Sequence, residues 1–187
     1  NDGIHKPPFG ILPNGTGNAF SKELGIVGGD WKKAINIILT KNTKKIDVGK
    51  FSSQQKSYYF LNMLGLGFVS DVNASSCRLK FLGNFAYILA VFHRLIGLKS
   101  YKLQLTLDNE TVKRDNVFVE IANSRYTGTT YLMAPDAKVD DGLLDVVLLN
   151  KVSRFKILKL FPTIFKGEHI KYPEVEIFKA KKISLTT

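Results

Sequence analysis

A chain of 187 residues with 44% hydrophobic and 23% charged residues suits one medium domain or one domain and a piece of another, and can bury a core, so wholesale disorder is excluded. The formal net charge of +11, from 27 Lys and Arg against 16 Asp and Glu, attracts anionic partners without naming one. A single cysteine, Cys77, forms no internal disulfide, which points to a reducing, cytoplasmic compartment.

In chain order, Asn1 to Phe9 lacks the apolar run of a signal peptide. Phe9 to Leu12 reads as a short strand that stops at Pro13-Asn14-Gly15-Thr16-Gly17-Asn18, after which Ala19, Phe20, Leu24 and Ile26 recur at helical intervals. A second helical period, Trp31, Ala34, Ile35 and Ile38, follows Asp30 as N-cap and fades at Thr40-Lys41-Asn42. From Lys45 the pattern turns to β. Runs at Ile46–Phe51, Tyr58–Leu64, Tyr101–Leu107, Val117–Ala122, Leu143–Leu149, Val175–Phe178 and Lys182–Leu185 predict strands, with a hairpin turn at Asp108-Asn109. Two helices interrupt them, over Leu82–Gly97 and from Ser153 as N-cap through Phe165.

The fold class expected is α+β: the tail of an α/β nucleotide-binding domain (residues 1–44), then a mainly antiparallel β-sandwich domain with a few helices (residues 45–187). The most apolar helix, Phe85 to Leu98, is too short to span a bilayer, which takes roughly 20 apolar residues, and it contains His93 and Arg94. Nucleic acid is not the expected partner, since zinc-finger spacing, an RNP-type aromatic strand and a heptad-backed basic helix are all missing from the sequence. Anionic lipid or nucleotide phosphate fits the charge better.

The glycine loop has its own chemistry. Gly15 and Gly17 let backbone N–H groups approach an anion, Thr16 and Asn18 add a hydroxyl and an amide, and a helix N-terminus follows. Neither the Walker nor the Rossmann spacing is present, and on spacing alone such a turn also has a purely steric use.

With its flanks, Gly10-Ile-Leu-Pro-Asn-Gly-Thr-Gly-Asn-Ala-Phe20 resembles the nucleotide-binding loop of the diacylglycerol kinase catalytic-domain superfamily, which includes bacterial lipid kinases, sphingosine kinases and ceramide kinases. Two further blocks carry the resemblance in the same order. Asn62-Met-Leu-Gly-Leu-Gly-Phe-Val-Ser-Asp71 is similar to the start of the family's second domain, and Asn123 to Val146 resembles its long signature ending in Asp-Asp-Gly-Leu-Leu-Asp.

The resemblance implies a two-domain lipid kinase that moves the γ-phosphoryl group of ATP to a lipid hydroxyl in the cleft between the domains. It implies that Asn14, Gly15, Thr16, Gly17 and Asn18 contact ATP. It also implies a Mg²⁺ site made by the Asp141 carboxylate and the main-chain carbonyls of Lys138 and Leu143, an oxygen-only set suited to a hard cation. Read by itself, Asp140-Asp141-Gly142 is equally an acidic β-turn. Ala19, where many bacterial members carry Asp, and Asp71 both lean toward the sphingosine kinase pattern, in which Asp71 meets the lipid head group; Asp71 also suits an exposed turn. Diacylglycerol and sphingoid acceptors therefore both stay open.

Two family motifs are missing from the sequence: a Gly-Gly-Asp-Gly loop expected before Asn1 and an Asp-Gly-Glu turn expected after Thr187. The sequence thus reads as a fragment, inactive when isolated, with its catalytic base outside it. An apolar stripe of Phe85, Ile88, Leu89, Phe92 and Leu95 serves either as core or as acyl-chain lining. Phe155, Leu158 and Phe161 among Arg154, Lys156 and Lys159 suit an anionic membrane surface. His93, His169 and Cys77 read as structural. The expected partners are a lipid substrate and a peripherally contacted membrane, and the reading admits a homodimer. The rival reading is a nonenzymatic lipid- or nucleotide-binding module on the same scaffold.

Overall fold

The computed structural model describes residues 8–15, 17–68, 70–72, 85–128 and 130–186, with the backbone alone at 85–88 and 90. Cys77 and the first three residues expected in the 82–97 helix lie outside the described residues. Two helices come first, α1 (Ala19–Glu23) and α2 (Trp31–Leu39). α2 starts as the cap spacing predicts, with Asp30 Oδ1 accepting the Lys33 amide at 3.0 Å. The expected strand at Phe9–Leu12 does not form: no strand among the described residues lies beside it, and an extended segment without a partner has no ladder to complete. The segment packs on α2 instead, where a Cβ on Gly10 would sit 2.5 Å from Ile38 Cδ1.

β1 (Gly49–Ser53) and β2 (Lys56–Phe60) form a two-stranded ribbon. Its turn residues Gln54 and Gln55 have φ of 47° and 66°, the positive pair a type I′ hairpin requires. The run expected over Tyr58–Leu64 is divided at Leu61-Asn62, since β3 (Met63–Gly67) leaves the ribbon to join the main sheet. Then come α3 (Phe85–Ile96), β4 (Tyr101–Leu107), β5 (Glu110–Ala122), the short pair β6 (Tyr126–Thr127) and β7 (Tyr131–Leu132), and β8 (Leu144–Asn150). Ser153 Oγ accepts the Lys156 amide at 3.3 Å and starts α4 (Arg154–Leu160), followed by two 3₁₀ turns, β9 (Val175–Ala180) and β10 (Ile183–Thr186).

The main sheet is antiparallel, in the order β10-β4-β5-β8-β9, with β3 also paired to β5. β5 is its spine. Glu110–Asn116 pair with β4, Phe118–Ala122 pair with β3, and β8 runs along β5 from Asn116 to Ala122 with a register shift between Asn116 and Phe118. Leu103, Leu105 and Leu107 point into one apolar layer with Val119, Ile121, Val146 and Leu148. The opposite face builds a second layer from Phe118, Ala122, Val147, Leu149 and Val175, covered by Phe68 and Val72, by Val91 and Leu95 of α3, and by Ile157 and Leu160 of α4.

The stripe expected on α3 is rotated from that expectation. Val91 and Leu95, four apart, face the core, whereas Leu89 is 48% and Phe92 54% exposed; the Phe85 and Ile88 side chains are outside the described set. On α4, Phe155 is 84% exposed. Among the described residues no helix is long and apolar enough to cross a membrane.

Candidate functional site

The Asn14–Asn18 loop is partly held by itself. The Asn14 amide donates to Leu12 O at 2.9 Å, and the Gly15 amide donates to Asn18 Oδ1 at 2.8 Å. Asn18 is left-handed at φ 43°, which its short amide side chain tolerates. No hydrogen bond among the described residues takes up the Gly17 or Asn18 amide; Thr16 lies outside the described residues. α1 has only five residues, too few for the helix-end field expected from the sequence to add much, so anion chemistry at this loop would rest on its own amides.

This loop sits against the Asn123–Gly128 part of the long signature. A Cβ on Gly17 would lie 3.5 Å from Gly128 Cα, so the two backbones meet without side chains between them. One turn further, Glu23 Oε2 accepts the Arg125 amide at 3.0 Å, and Arg125 Nε reaches Oε1 at 3.1 Å. Lys22 Nζ stands 4.0 Å from the centre of the Tyr126 ring, and the Arg125 guanidinium 5.3 Å from the same ring. Two blocks 102 residues apart in sequence are thus one assembly.

Asp71 is exposed in a different recess, of about 210 Å³, shared with Phe68, His93, Arg94, Lys99 and Tyr101. Among the described residues, Asn14, Gly15, Gly17 and Asn18 do not line it. The recess brings the Asp71 carboxylate into one lining with the cationic Arg94 and Lys99 and the apolar Ile96 and Leu98. Phe68 also lines a narrower apolar crevice of about 40 Å³ between the sheet, α3 and α4, with Val91, Phe118, Met133, Leu149 and Ile164.

The acidic turn is clasped from the 44–47 segment. Gly142, at φ 72°, donates its amide to Asp47 Oδ2 at 2.7 Å, Asp47 N donates to Val139 O at 2.6 Å, and Lys44 Nζ pairs with Asp140 at 2.9 Å. Asp141 Oδ1 accepts the Leu143 amide at 3.1 Å, a local turn bond that leaves its second oxygen without a donor among the described residues. Burial pushes the Asp145 carboxyl up from its ordinary value, Lys179 opposes the rise, and the Asp141 and Asp136 charges add to it. Among the described residues no three His, Cys, Asp or Glu side chains converge, so a cation at Lys138, Asp141 and Leu143 would rest on one carboxylate oxygen and main-chain carbonyls. That donor chemistry fits a hard divalent ion in kind.

Three buried polar residues take their particular partners only from the fold. Glu120, on β5 opposite Gly65 and Val147, is 1% exposed with Oε2 unpartnered among the described residues, and burial pushes its carboxyl up to about 8. Asn123 Nδ2 joins the Asp47 and Leu61 carbonyls. His169, buried as a structural histidine should be, has Nε2 2.9 Å from Met133 O; a carbonyl only accepts, so that nitrogen carries the proton. Only long-range contacts define these roles, and no local pattern encodes them.

Residues 62–187 match the YegS C-terminal NAD kinase beta sandwich-like domain, which accounts for the paired apolar layers on the antiparallel sheet. Residues 2–51 match the diacylglycerol kinase catalytic domain. The chain therefore belongs to the diacylglycerol kinase catalytic-domain superfamily. A diacylglycerol kinase of Mycobacterium tuberculosis (strain H37Rv) is 35% identical over 179 residues, covering 94% of this chain and 58% of that protein. One from Staphylococcus haemolyticus is 29% identical over 185 residues, 98% of this chain and 54% of its own length. A Bacillus anthracis (strain Sterne) crystal structure carrying the diacylglycerol kinase name superposes with a TM-score of 0.74 at 27% identity, over 97% of this chain and 59% of that one. The chain spans a little more than half the length of these relatives.

Proposed function

We propose that this chain is part of an ATP-dependent lipid kinase that phosphorylates the hydroxyl of a diacylglycerol or sphingoid-type lipid. The observation that carries the reading is the docking of the Asn14–Asn18 loop, with its two unclaimed amides, onto the Asn123–Gly128 segment, beside a sheet whose other elements enclose apolar space. In this reading residues 1–44 belong to the nucleotide side and 45–187 to the lipid side. Asn14, Gly15, Thr16, Gly17 and Asn18 hold the phosphates, Asp71 meets the lipid head group, and the apolar crevice beside Phe68 and Phe118 receives part of an acyl chain.

The lipid hydroxyl oxygen forms a bond to the γ-phosphorus as the bond to the β–γ bridging oxygen breaks, ADP leaves, and the hydroxyl proton passes to a general base. No residue of this chain is assigned that last role. A divalent metal supplies charge neutralisation on the phosphates, and Lys138, Asp141 and Leu143 are the oxygen donors proposed for a structural Mg²⁺. Exposed Phe92, Ile96 and Phe155, with Arg94, Arg154 and Lys159 nearby in sequence, support contact with an anionic membrane surface.

Radiolabelled phosphoryl transfer from ATP in the full-length protein, offered diacylglycerol, sphingosine and ceramide in turn, tests the proposal. Label in one lipid is expected. No labelled lipid from folded, nucleotide-binding protein overturns the kinase reading in favour of a binding module.

A further inference from the structure

The Glu23–Arg125 contact has a geometry that a simple latch does not need. Glu23 engages Arg125 from the side, through Nε and the main-chain amide, at 3.1 Å and 3.0 Å. No acceptor among the described residues takes a hydrogen bond from Nη1 or Nη2, and the arginine side chain is 39% exposed while Glu23 is 6% exposed. The guanidinium therefore presents its two outer amino groups as an empty fork. A fork of that kind binds a carboxylate or phosphate with two parallel bonds.

A second cation stands beside it. Lys22 Nζ and the Arg125 guanidinium both lie on the Tyr126 ring, at 4.0 Å and 5.3 Å from its centre. Two positive groups gathered on one ring repel each other, and Glu23 neutralises only one of them, so the cluster keeps a net positive charge. Its place in the fold names the ligand. Lys22 is one helical turn from Asn18, whose carbonyl accepts the Lys22 amide at 3.0 Å, and Gly128, three residues after Arg125, lies against Gly17. The arginine fork, the ammonium and the unclaimed Gly17 and Asn18 amides thus all belong to the junction of α1, the loop before it and the Asn123–Gly128 segment. An oxyanion rich in acceptor oxygens satisfies that set.

We propose that Lys22 and Arg125, seated on Tyr126, form a subsite for the polyphosphate of the bound nucleotide, and that Glu23 is the positioning residue that aims Arg125. The proposal rests on the nucleotide-binding reading above and adds residues to it from the other side of the loop.

Titration calorimetry on the full-length protein, with inorganic tripolyphosphate, ATP and adenosine as probes, tests it. Arg125→Gln and Lys22→Gln are each expected to weaken tripolyphosphate and ATP roughly ten- to hundredfold, the loss for one charge-assisted hydrogen bond, with adenosine unchanged. Arg125→Lys restores charge without the fork and is expected to recover only part of the affinity. Glu23→Gln is expected to weaken tripolyphosphate less than Arg125→Gln does. Lys22 carries no buried hydrogen-bond duty, so Lys22→Gln keeps the test readable if the arginine variants unfold. Wild-type affinity for tripolyphosphate in folded Lys22→Gln and Arg125→Gln proteins overturns the subsite, as does failure of the wild type to bind tripolyphosphate. Tripolyphosphate binding that depends on these residues in a protein with no phosphoryl transfer supports the subsite and sinks the kinase reading alone.

Discussion

Asn123, at the end of β5, places its side-chain amide between the carbonyl oxygens of Asp47 (3.0 Å) and Leu61 (2.9 Å), stitching two separate loops to the start of the long signature. Asn123 is 1% exposed, so its side-chain amide has given up water for these two carbonyls. Asn123→Ala leaves both acceptors unsatisfied and is expected to cost about 2–3 kcal/mol, read as a lower urea midpoint at unchanged slope. Asn123→Asp should cost more, because a carboxylate would face two carbonyl oxygens.

Glu120 sets a stability trend with pH. Its folded carboxyl titrates at about 8 against an ordinary value of 4.5, with burial as the cause. Between those values the unfolded chain has lost the proton and the folded one keeps it, so this group's contribution to stability falls as pH rises through the window and levels off above it. Glu120→Gln keeps the neutral shape and removes the trend, and at pH 9 it is expected to be the more stable protein by on the order of 5 kcal/mol. Denaturant melts of both proteins at pH 5, 7 and 9 check it; parallel curves for the two would refute it.

Gly67 closes β3 at φ 78°, and a Cβ there would stand 2.6 Å from the Val117 carbonyl oxygen. Backbone cannot swing away as a flexible side chain can. Gly67→Ala is expected to lose at least about 2 kcal/mol from the clash and the left-handed conformation together, visible as a drop in Tm.

Phe155 on α4 is almost wholly exposed, so Phe155→Ser should leave stability within about 0.5 kcal/mol. If α4 meets a membrane, the same change weakens co-sedimentation with phosphatidylglycerol vesicles and leaves phosphatidylcholine vesicles unaffected. Equal pelleting of both proteins with the anionic vesicles would remove α4 from that role.

Local chemistry is legible in the sequence. Asp30 and Ser153 announced their helices, since a side-chain oxygen before an apolar period satisfies amides that nothing else reaches. The Leu103–Leu107 alternation and the Asp108-Asn109 turn gave β4 and its hairpin, with Leu107 opposite Glu110. The sequence pattern marks only the Val117–Ala122 half of β5, which is buried on both faces, because the more exposed Glu110–Asp115 half carries little apolar signal. The strand expected at Phe9–Leu12 lacked a partner, which a sequence window does not show. Of the site, the glycine loop was visible as a motif, whereas Glu23, Arg125, Asn123 and Glu120 acquire meaning only from neighbours far away in the chain.

The irregularity at Val117 has a further consequence for how this molecule finds its native pairing. Side chains on a strand alternate, so sliding Phe118–Ala122 by a single position would turn Glu120 into the layer of Val146 and Leu148, and expel Val119 and Ile121 from it. By absorbing one extra residue between the stretch that meets β4 and the stretch that meets β3 and β8, the bulge lets two halves of one strand keep independent phase. It acts as a mechanical detent against slippage. Deleting Val117 is therefore expected to scramble the buried Phe118–Ala122 half of the strand while sparing the hairpin with β4.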